Sequence, residues 1–344
     1  MNAILTYHDG YNFGTFLQAY ALQKKLTSMG IENEIINYKS WRHIYNEYKC
    51  LIYTKNPQLL LANIQKAIAF KKTHKQFTMT RFFTNMKDAP QKKYRSVIFG
   101  SDEIWNYTNP VVGLDLPYFG YGLNADKFIA YAISLGSLSA DVNIPSSILK
   151  YLQQFDAISA RDENSHLILS RYYSKSIEIV LDPTLIYDFD GEVINCPYDD
   201  FILVYGAGFD STTQVKIIEY AKKKGKKLIS VGYLNKFCDK NEIAISPFEF
   251  LGYCKKADEV ITTMFHGVIL SIKYARQFAI VVDPYRINKL ATILNKLKLK
   301  DRVVIENNFE EVMRNKINYD DIRIVINKER INSEQFINAA VKRD

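Results

Sequence analysis

Short apolar runs of strand length recur along the whole chain, each closed by a polar or glycine-bearing turn and followed by a helix-period pattern. That rhythm restricts the fold more than any other feature, because parallel strands joined by helices are what it builds. Ala3–Tyr7 reads as a first strand. The helix from about Thr15 to Met29 repeats Phe16, Leu17, Tyr20, Ala21 and Leu26 along one stripe, and Gly30 stops it. Strands follow at Glu34–Tyr38, Ser96–Gly100, Phe128–Ala132, Asp156–Arg161 and Ser176–Val180. Residues 41–90 are less regular, rich in Lys, Tyr and Phe, and predict one or two inserted helices. An acidic stretch with Gly and Pro, from Tyr187 to Asp200, interrupts the rhythm. It restarts with strand Phe201–Tyr205, helix 211–224, strand Lys227–Val231, a helix from Pro247 to about Lys255, strand Glu259–Thr262, helix Gly267–Tyr274 and strand Phe278–Val282. At 344 residues the chain is long for one core. The expectation is an α/β protein of two Rossmann-like domains facing a cleft, residues 1–190 and 191–344, the second ending in a helical tail.

Composition narrows the function classes. An apolar fraction of 47% and a charged fraction of 24% belong to a folded globular protein. The 24 Tyr and 20 Phe serve either packing or a carbohydrate site. A net charge of +8 suits an anionic partner: a phosphorylated substrate, an anionic lipid surface or nucleic acid. Without zinc spacing, a helix-turn-helix signature or an RNA-binding aromatic motif, nucleic acid is not expected. The cysteines Cys50, Cys196, Cys238 and Cys254 form no CxxC and are too sparse for a disulfide scaffold. The opening Met-Asn-Ala-Ile-Leu-Thr-Tyr lacks a signal-peptide pattern, and no apolar run approaches the ~18–20 residues of a membrane span. A cytoplasmic protein is expected, with membrane contact at most peripheral.

In open parallel sheets ligands sit beyond the carboxyl ends of the strands, so the turns after the strands hold the candidate residues. Asn12-Phe13-Gly14 opens the first helix, where Gly14 would let backbone N–H groups approach an anion; taken alone, it reads first as a plain turn. Gly100-Ser101-Asp102-Glu103-Ile104-Trp105-Asn106 packs small, acidic, aromatic and amide groups after a strand. Asp102 is either a proton acceptor or a helix cap, and Trp105 either a stacking platform or core. Arg161 suits bidentate recognition of a carboxylate or phosphate, or a pair with Asp162 or Glu163. The Leu181-Asp182-Pro183-Thr184 turn reads as structural. In Thr262-Thr263-Met264-Phe265-His266-Gly267 a histidine stands where a strand ends and a helix begins, better placed than His8, His43, His74 or His166. No metal-ligand cluster is visible, and neither metal nor cofactor is expected.

In their order, Asn12–Gly14, Gly100–Asn106, Tyr131–Gly136, Ile158–Ser165, Leu181–Leu185, Pro247–Gly252 and Thr262–Gly267 resemble the polysaccharide pyruvyl transferase family, over about residues 1 to 300. The most specific pieces are Gly100-Ser101-Asp102 with Trp105-Asn106, and Phe265-His266-Gly267. The resemblance implies a fold like that of GT-B glycosyltransferases. It also implies transfer of pyruvate from phosphoenolpyruvate onto a sugar of a cell-surface polysaccharide or its lipid-linked precursor, usually as a cyclic ketal. A nucleotide-sugar glycosyltransferase on the same scaffold is the alternative. By motif, Arg161, Phe265, His266 and Gly267 would hold phosphoenolpyruvate on the second domain's side. Asn12, Gly14, Ser101, Asp102, Trp105 and Asn106 would face the acceptor on the first. His266 would be acid or phosphate ligand, Asp102 the base, and Arg161 a fork on the carboxylate or phosphate. Glu103 stands where the family usually has Gln, and Met264 where some members have a second arginine, which Arg286 or Lys289 would replace. The implied partners are phosphoenolpyruvate and a sugar or lipid-linked oligosaccharide, at the inner face of the membrane.

Overall fold

The computed structural model describes residues 1–281, 284–305 and 308–342, and the side chains of all of these except 284–288. The chain packs as two compact units. One holds residues 1–50, 75–188 and the chain from 326 on; the other holds 51–74 and 189–325.

In chain order the first half contains β1 (Asn2–Leu5), α1 (Phe13–Ser28), β2 (Asn33–Ile35), α2 (Trp41–Ile52), α3 (Pro57–His74), β3 (Tyr94–Phe99), β4 (Ala125–Ile133), α4 (Ser146–Leu152), β5 (Ala157–Ala160), α5 (Glu163–Ser170), β6 (Ile177–Ile179) and α6 (Pro183–Ile186). The six strands form one parallel sheet in the order β2-β1-β3-β4-β5-β6. Helices cover such a sheet, so its central strands read as nearly unbroken apolar runs, as Val97–Phe99 and Ile129–Ile133 do. An aromatic knot fills the core. Trp105 stacks on Phe119 with centroids 5.4 Å apart and meets Phe155 edge-on at 5.1 Å; Phe155 in turn meets Phe99 at 5.0 Å.

The second half contains β7 (Phe201–Tyr205), α7 (Ser211–Lys224), β8 (Lys227–Val231), β9 (Lys240–Glu242), α8 (Pro247–Lys256), β10 (Glu259–Thr262), α9 (Phe265–Lys273), β11 (Gln277–Ile280), α10 (Pro284–Lys296), α11 (Phe309–Arg314) and α12 (Tyr319–Lys342). Its parallel sheet runs β11-β10-β7-β8-β9. Local chemistry fixes the helix ends. Asp210 caps α7 and Gly225 ends it in the left-handed region; Ser246 and Glu249 form a reciprocal capping box on α8.

The α/β class and the pair of Rossmann-like domains expected from the sequence are what the chain builds. The strand orders differ in kind. The first sheet has the flavodoxin-like order with one strand added, and the second has the dinucleotide-fold order. Two segments cross a simple division near residue 190. The end of α12 lies with the first unit, where Lys25 pairs with Glu334 at 2.6 Å, Leu181 N donates to Ser333 Oγ and Arg330 donates to the Leu185 carbonyl. Helix α3 lies with the second, where the buried Lys66 ammonium donates to the Gly232 carbonyl at 3.2 Å. Among the described residues no helix is long and apolar enough to cross a membrane.

Candidate functional site

Each sheet has one point where the strand order reverses, and there the loops after two neighbouring strands part to leave a crevice. In the first sheet the point lies between β1 and β3; in the second it lies between β7 and β10. The loops at these two points carry most of the residues singled out in the sequence.

At the β1/β3 point Asn12 caps α1, its Oδ1 accepting from the backbone of Gly14 at 2.9 Å and of Thr15 at 3.3 Å. Thr15 Oγ1 donates to Asp102 Oδ2 at 3.1 Å, and Glu103 N donates to Asp102 Oδ1 at 2.9 Å. Asp102 has φ of 74°, and its carbonyl accepts from Ser134 N, so the β3 loop is sewn to the end of β4. Gly100 admits no side chain, since a Cβ would lie 2.2 Å from the Tyr131 carbonyl oxygen. Asp102 thus sits partly exposed, held from three sides.

The neighbouring candidates have other duties. Ser101 is fully buried, donates to Gln18 Oε1 at 2.8 Å and accepts at its carbonyl from Thr6 Oγ1, so it braces the loop and presents nothing to a sugar. Trp105 is core: 0% exposed, with Nε1 donating to the Tyr118 carbonyl at 2.7 Å. It offers no platform, because its ring is fully buried against Phe119 and Phe155. Asn106 is buried as well, accepting from Thr108 and donating to Glu103 Oε2. Glu103, where the family usually has Gln, receives an amide bond that a glutamine oxygen would also receive.

Arg161 sits at the end of β5 with its guanidinium buried, its NH1 donating to Asp182 Oδ2 at 2.9 Å. Asp182 also caps α6, accepting from the Thr184 N and Oγ1. Burial opposes the Arg161 charge, but Asp182 first, then Asp102, Asp162 and Glu103, hold it above its ordinary value. A guanidinium already matched by carboxylates suits a clasp between two turns better than an anion ligand. It belongs to the first unit, whereas Phe265, His266 and Gly267 belong to the second.

Sequence reasoning passed over a polar cluster beside this crevice. Lys39, buried after β2, pairs with Asp9 at 2.7 Å and with Glu47. His43 from α2 meets the Tyr7 ring edge-on at 5.3 Å, and Tyr7 meets Tyr118 at 4.9 Å. His43 Nδ1 and Tyr7 Oη are buried without hydrogen-bond partners among the described residues. Burial, then the Lys39 ammonium, pulls His43 down to about 3, so it is a neutral imidazole. Burial, then Asp102, Asp115 and Glu103, pushes the Tyr7 phenol up. Two neutral groups therefore meet here: Tyr7, whose phenol feels Asp102, and His43 against its ring. Residues 7, 39 and 43 form no motif, and only the return of α2 over β1 and β2 gathers them. His8 too is buried, its ring between the Thr6 carbonyl and Asn37; the sequence ranked both histidines below His266.

At the β7/β10 point Thr262 Oγ1 donates to the Tyr205 carbonyl at 2.7 Å and accepts from Met264 N at 3.0 Å, turning the chain into α9. Gly267 lets α9 lie against that turn, for a Cβ would meet Thr262 Oγ1 at 2.1 Å. His266, second residue of α9 and 8% exposed, lies edge-on to Phe265 at 5.1 Å, at the positive end of the helix. Across the crevice Asn235 Nδ2 holds the Gly206 carbonyl at 2.9 Å and Ser230 Oγ at 2.8 Å. Tyr233 reaches Met264 Sδ at 3.8 Å, and Lys66 lies 5.6 Å from the Tyr233 ring centroid. Burial pulls Lys66 down to about 8. The Arg286 side chain lies outside the described residues, and Lys289 is half-buried on α10.

The family model of polysaccharide pyruvyl transferase matches residues 12–283, from the α1 cap through His266 to the end of the second sheet. The chain belongs to the polysaccharide pyruvyl transferase family. A search of curated proteins finds no match. Solved structures similar to this pyruvyl transferase family member include Methanocaldococcus jannaschii UDP-GlcNAc 2-epimerase in complex with UDP-GlcNAc and UDP, at 12% identity and a TM-score of 0.42, covering 96% of this chain and 93% of that one. E. coli heptosyltransferase WaaC with ADP follows at 9% identity and 0.44, covering 96% and 100%. An alpha-glucosyltransferase (AGT) in complex with UDP stands at 8% identity and 0.47, covering 98% and 95%.

Proposed function

We propose that this family member transfers pyruvate from phosphoenolpyruvate onto two hydroxyls of a sugar, forming a cyclic ketal and releasing phosphate. The observation that carries the reading is His266 at the N-terminus of α9, at the strand-order reversal of the second sheet. A helix N-terminus attracts a phosphate or carboxylate through its backbone donors, which leaves the imidazole to move a proton.

Protonation of the methylene carbon, for which His266 is the proposed acid, puts oxocarbenium character on the adjacent carbon. A first sugar hydroxyl adds there and gives up its proton. The bond to the phosphate oxygen then breaks, phosphate leaves, and the second hydroxyl closes the ring as its proton departs. One hydroxyl proton balances the one placed on carbon; the other leaves with phosphate. Asp102 is the proposed base for the acceptor, with the neutral His43 and Tyr7 beside it as hydroxyl partners. Arg161 is a positioning residue in this scheme, and Lys66 is the cation of the donor crevice. The acceptor is a sugar of a surface polysaccharide or of its lipid-linked precursor, and no resident metal or cofactor has a part.

The test is incubation with phosphoenolpyruvate and acceptors ending in galactose, mannose or glucose, following phosphate release and product mass. Phosphate release with a gain of one pyruvate less one water is the expected result for at least one acceptor. His266→Gln should lose at least about a hundredfold in turnover while folding normally. Release of a nucleoside diphosphate from a nucleotide sugar, with no binding of phosphoenolpyruvate, would overturn the reading.

A further inference from the structure

Among the described residues nineteen large apolar side chains are exposed, and eight of them fall between Trp41 and Ile68. On α2 these are Trp41, Tyr45, Tyr48 and Ile52, at spacings that keep one face of a helix. The linker adds Tyr53, 84% exposed. On α3, Leu61, Ile64 and Ile68 are 58%, 44% and 51% exposed and again share one face. The opposite face of α3 is accounted for, with Lys66, Phe70 and Thr73 buried. Asn63 Nδ2 donates to the Leu51 carbonyl at 2.8 Å, which ties α3 to the segment before it. Among the described residues no other pair of consecutive helices leaves so many large apolar side chains exposed.

The charge along this segment of the chain has one sign. Between Glu47 and Asp88 the chain has no acidic residue and eight basic ones, a number equal to the net charge of the whole protein. Three of the eight, Lys71, Lys72 and Lys75, are exposed and continue the Leu61–Ile64–Ile68 face through the last turn of the helix and just beyond it. A row of aliphatic side chains followed by lysines, with a tyrosine at its edge, is the pattern of a helix lying in the plane of a membrane surface. A protein partner would have to be acidic and apolar at once across this face; a leaflet with anionic headgroups is both by construction.

We infer that the exposed face of α3, with Tyr53 and Lys71, Lys72 and Lys75, docks the enzyme onto an anionic lipid surface. Docking would hold the enzyme where a lipid-linked acceptor is presented, and in that respect it deepens the proposed function and rests on it. The docking itself follows from surface chemistry alone and is measured without substrates.

The purified full chain is sedimented with vesicles of neutral phosphatidylcholine and with vesicles of which about one third is anionic phosphatidylglycerol. Binding to the anionic vesicles is expected to be at least tenfold stronger, and to fall with salt. The variant Leu61→Gln, Ile64→Gln, Ile68→Gln should lose that binding at unchanged melting temperature. The variant Lys71→Glu, Lys72→Glu, Lys75→Glu should lose on the order of fivefold per lysine, and the anionic preference with it. Phosphate release on a soluble acceptor should be unaffected by either variant, which separates failed docking from a wrong reaction. Equal sedimentation of all proteins, or no preference for the anionic vesicles, would overturn the inference. So would a dimer in solution that the glutamine variant dissociates, because the face would then belong to a second copy of the chain.

Discussion

Thr15 and Asp102 stand 87 positions apart in the chain, yet the Thr15 hydroxyl donates to Asp102 Oδ2 at 3.1 Å. The bond joins the first turn of α1 to the loop after β3, across the reversal point of the first sheet, and aims the carboxylate. Asp102→Asn tests its chemistry, because asparagine tolerates a φ of 74°, its amide oxygen keeps the bond from Glu103 N, and its amide nitrogen can donate to the Thr15 hydroxyl instead of accepting from it. We expect near-normal melting with turnover reduced at least about a hundredfold. Thr15→Val should cost about 1 kcal/mol and leave a smaller kinetic deficit. Full activity of the asparagine variant would remove Asp102 from the reaction.

The Arg161–Asp182 clasp predicts a split between folding and binding. Arg161→Ala leaves Asp182 buried without its cation, a loss of about 3–5 kcal/mol, and adding Asp182→Asn should recover part of it. Arg161→Lys keeps a charge but loses the planar fork, so it should melt lower while its KM for phosphoenolpyruvate stays unchanged. A normal melting temperature with KM raised tenfold or more would return Arg161 to the donor.

The architecture was legible because both sheets are parallel and buried, which makes most strands contiguous apolar runs. Phe201–Tyr205, Lys227–Val231 and Glu259–Thr262 have the bounds read from the sequence. What lacked that signal was missed: β9 is Lys-Asn-Glu, a three-residue polar strand at an edge, held by its pairing with β8 and not by burial. The turns after β1, β3 and β10 were legible as places. The duties of single residues within them were not. Trp105 and Asp102 share one seven-residue motif, yet one is core and the other a partly exposed carboxylate. The sequence cannot tell them apart, because the aromatic partners of Trp105 arrive from Phe119 and Phe155. The Tyr7–Lys39–His43 cluster was invisible for the same reason, since tertiary packing alone assembles it.

That cluster carries a pH signature. His43 is pulled from its ordinary 6.5 to about 3 in the folded protein. The unfolded chain therefore takes up a proton where the folded one does not. Stability from the neutral imidazole is present above about pH 6.5 and is lost progressively as pH falls toward about 3. Glu47 and Asp115 are raised by burial and act with the opposite sign, and they are common to the wild type and His43→Gln, so the difference between the two proteins reads His43. Urea midpoints between about pH 7 and 5 should thus fall for the wild type and stay flatter for His43→Gln. Parallel curves would mean that His43 is protonated in the fold and cannot be a neutral hydroxyl partner.

Lys66 gives the sharpest separation of stability from function. Its ammonium is buried beside Tyr233, whose hydroxyl reaches Met264 at the turn into α9. Burial lowers it from 10.5 to about 8. Because the folded form gives up this proton first, the contribution of Lys66 to stability improves as pH rises from about 8 to 10.5. Affinity for an anionic donor should move the other way, weakening as the cation is lost above about pH 8. Lys66→Met removes the charge and keeps the apolar stem, so at neutral pH it should melt no lower than wild type while its KM for phosphoenolpyruvate rises about tenfold or more. A flat KM between pH 7 and 9 in the wild type, together with an unchanged KM in Lys66→Met, would mean that the donor crevice takes its positive potential from the α9 terminus and His266 alone.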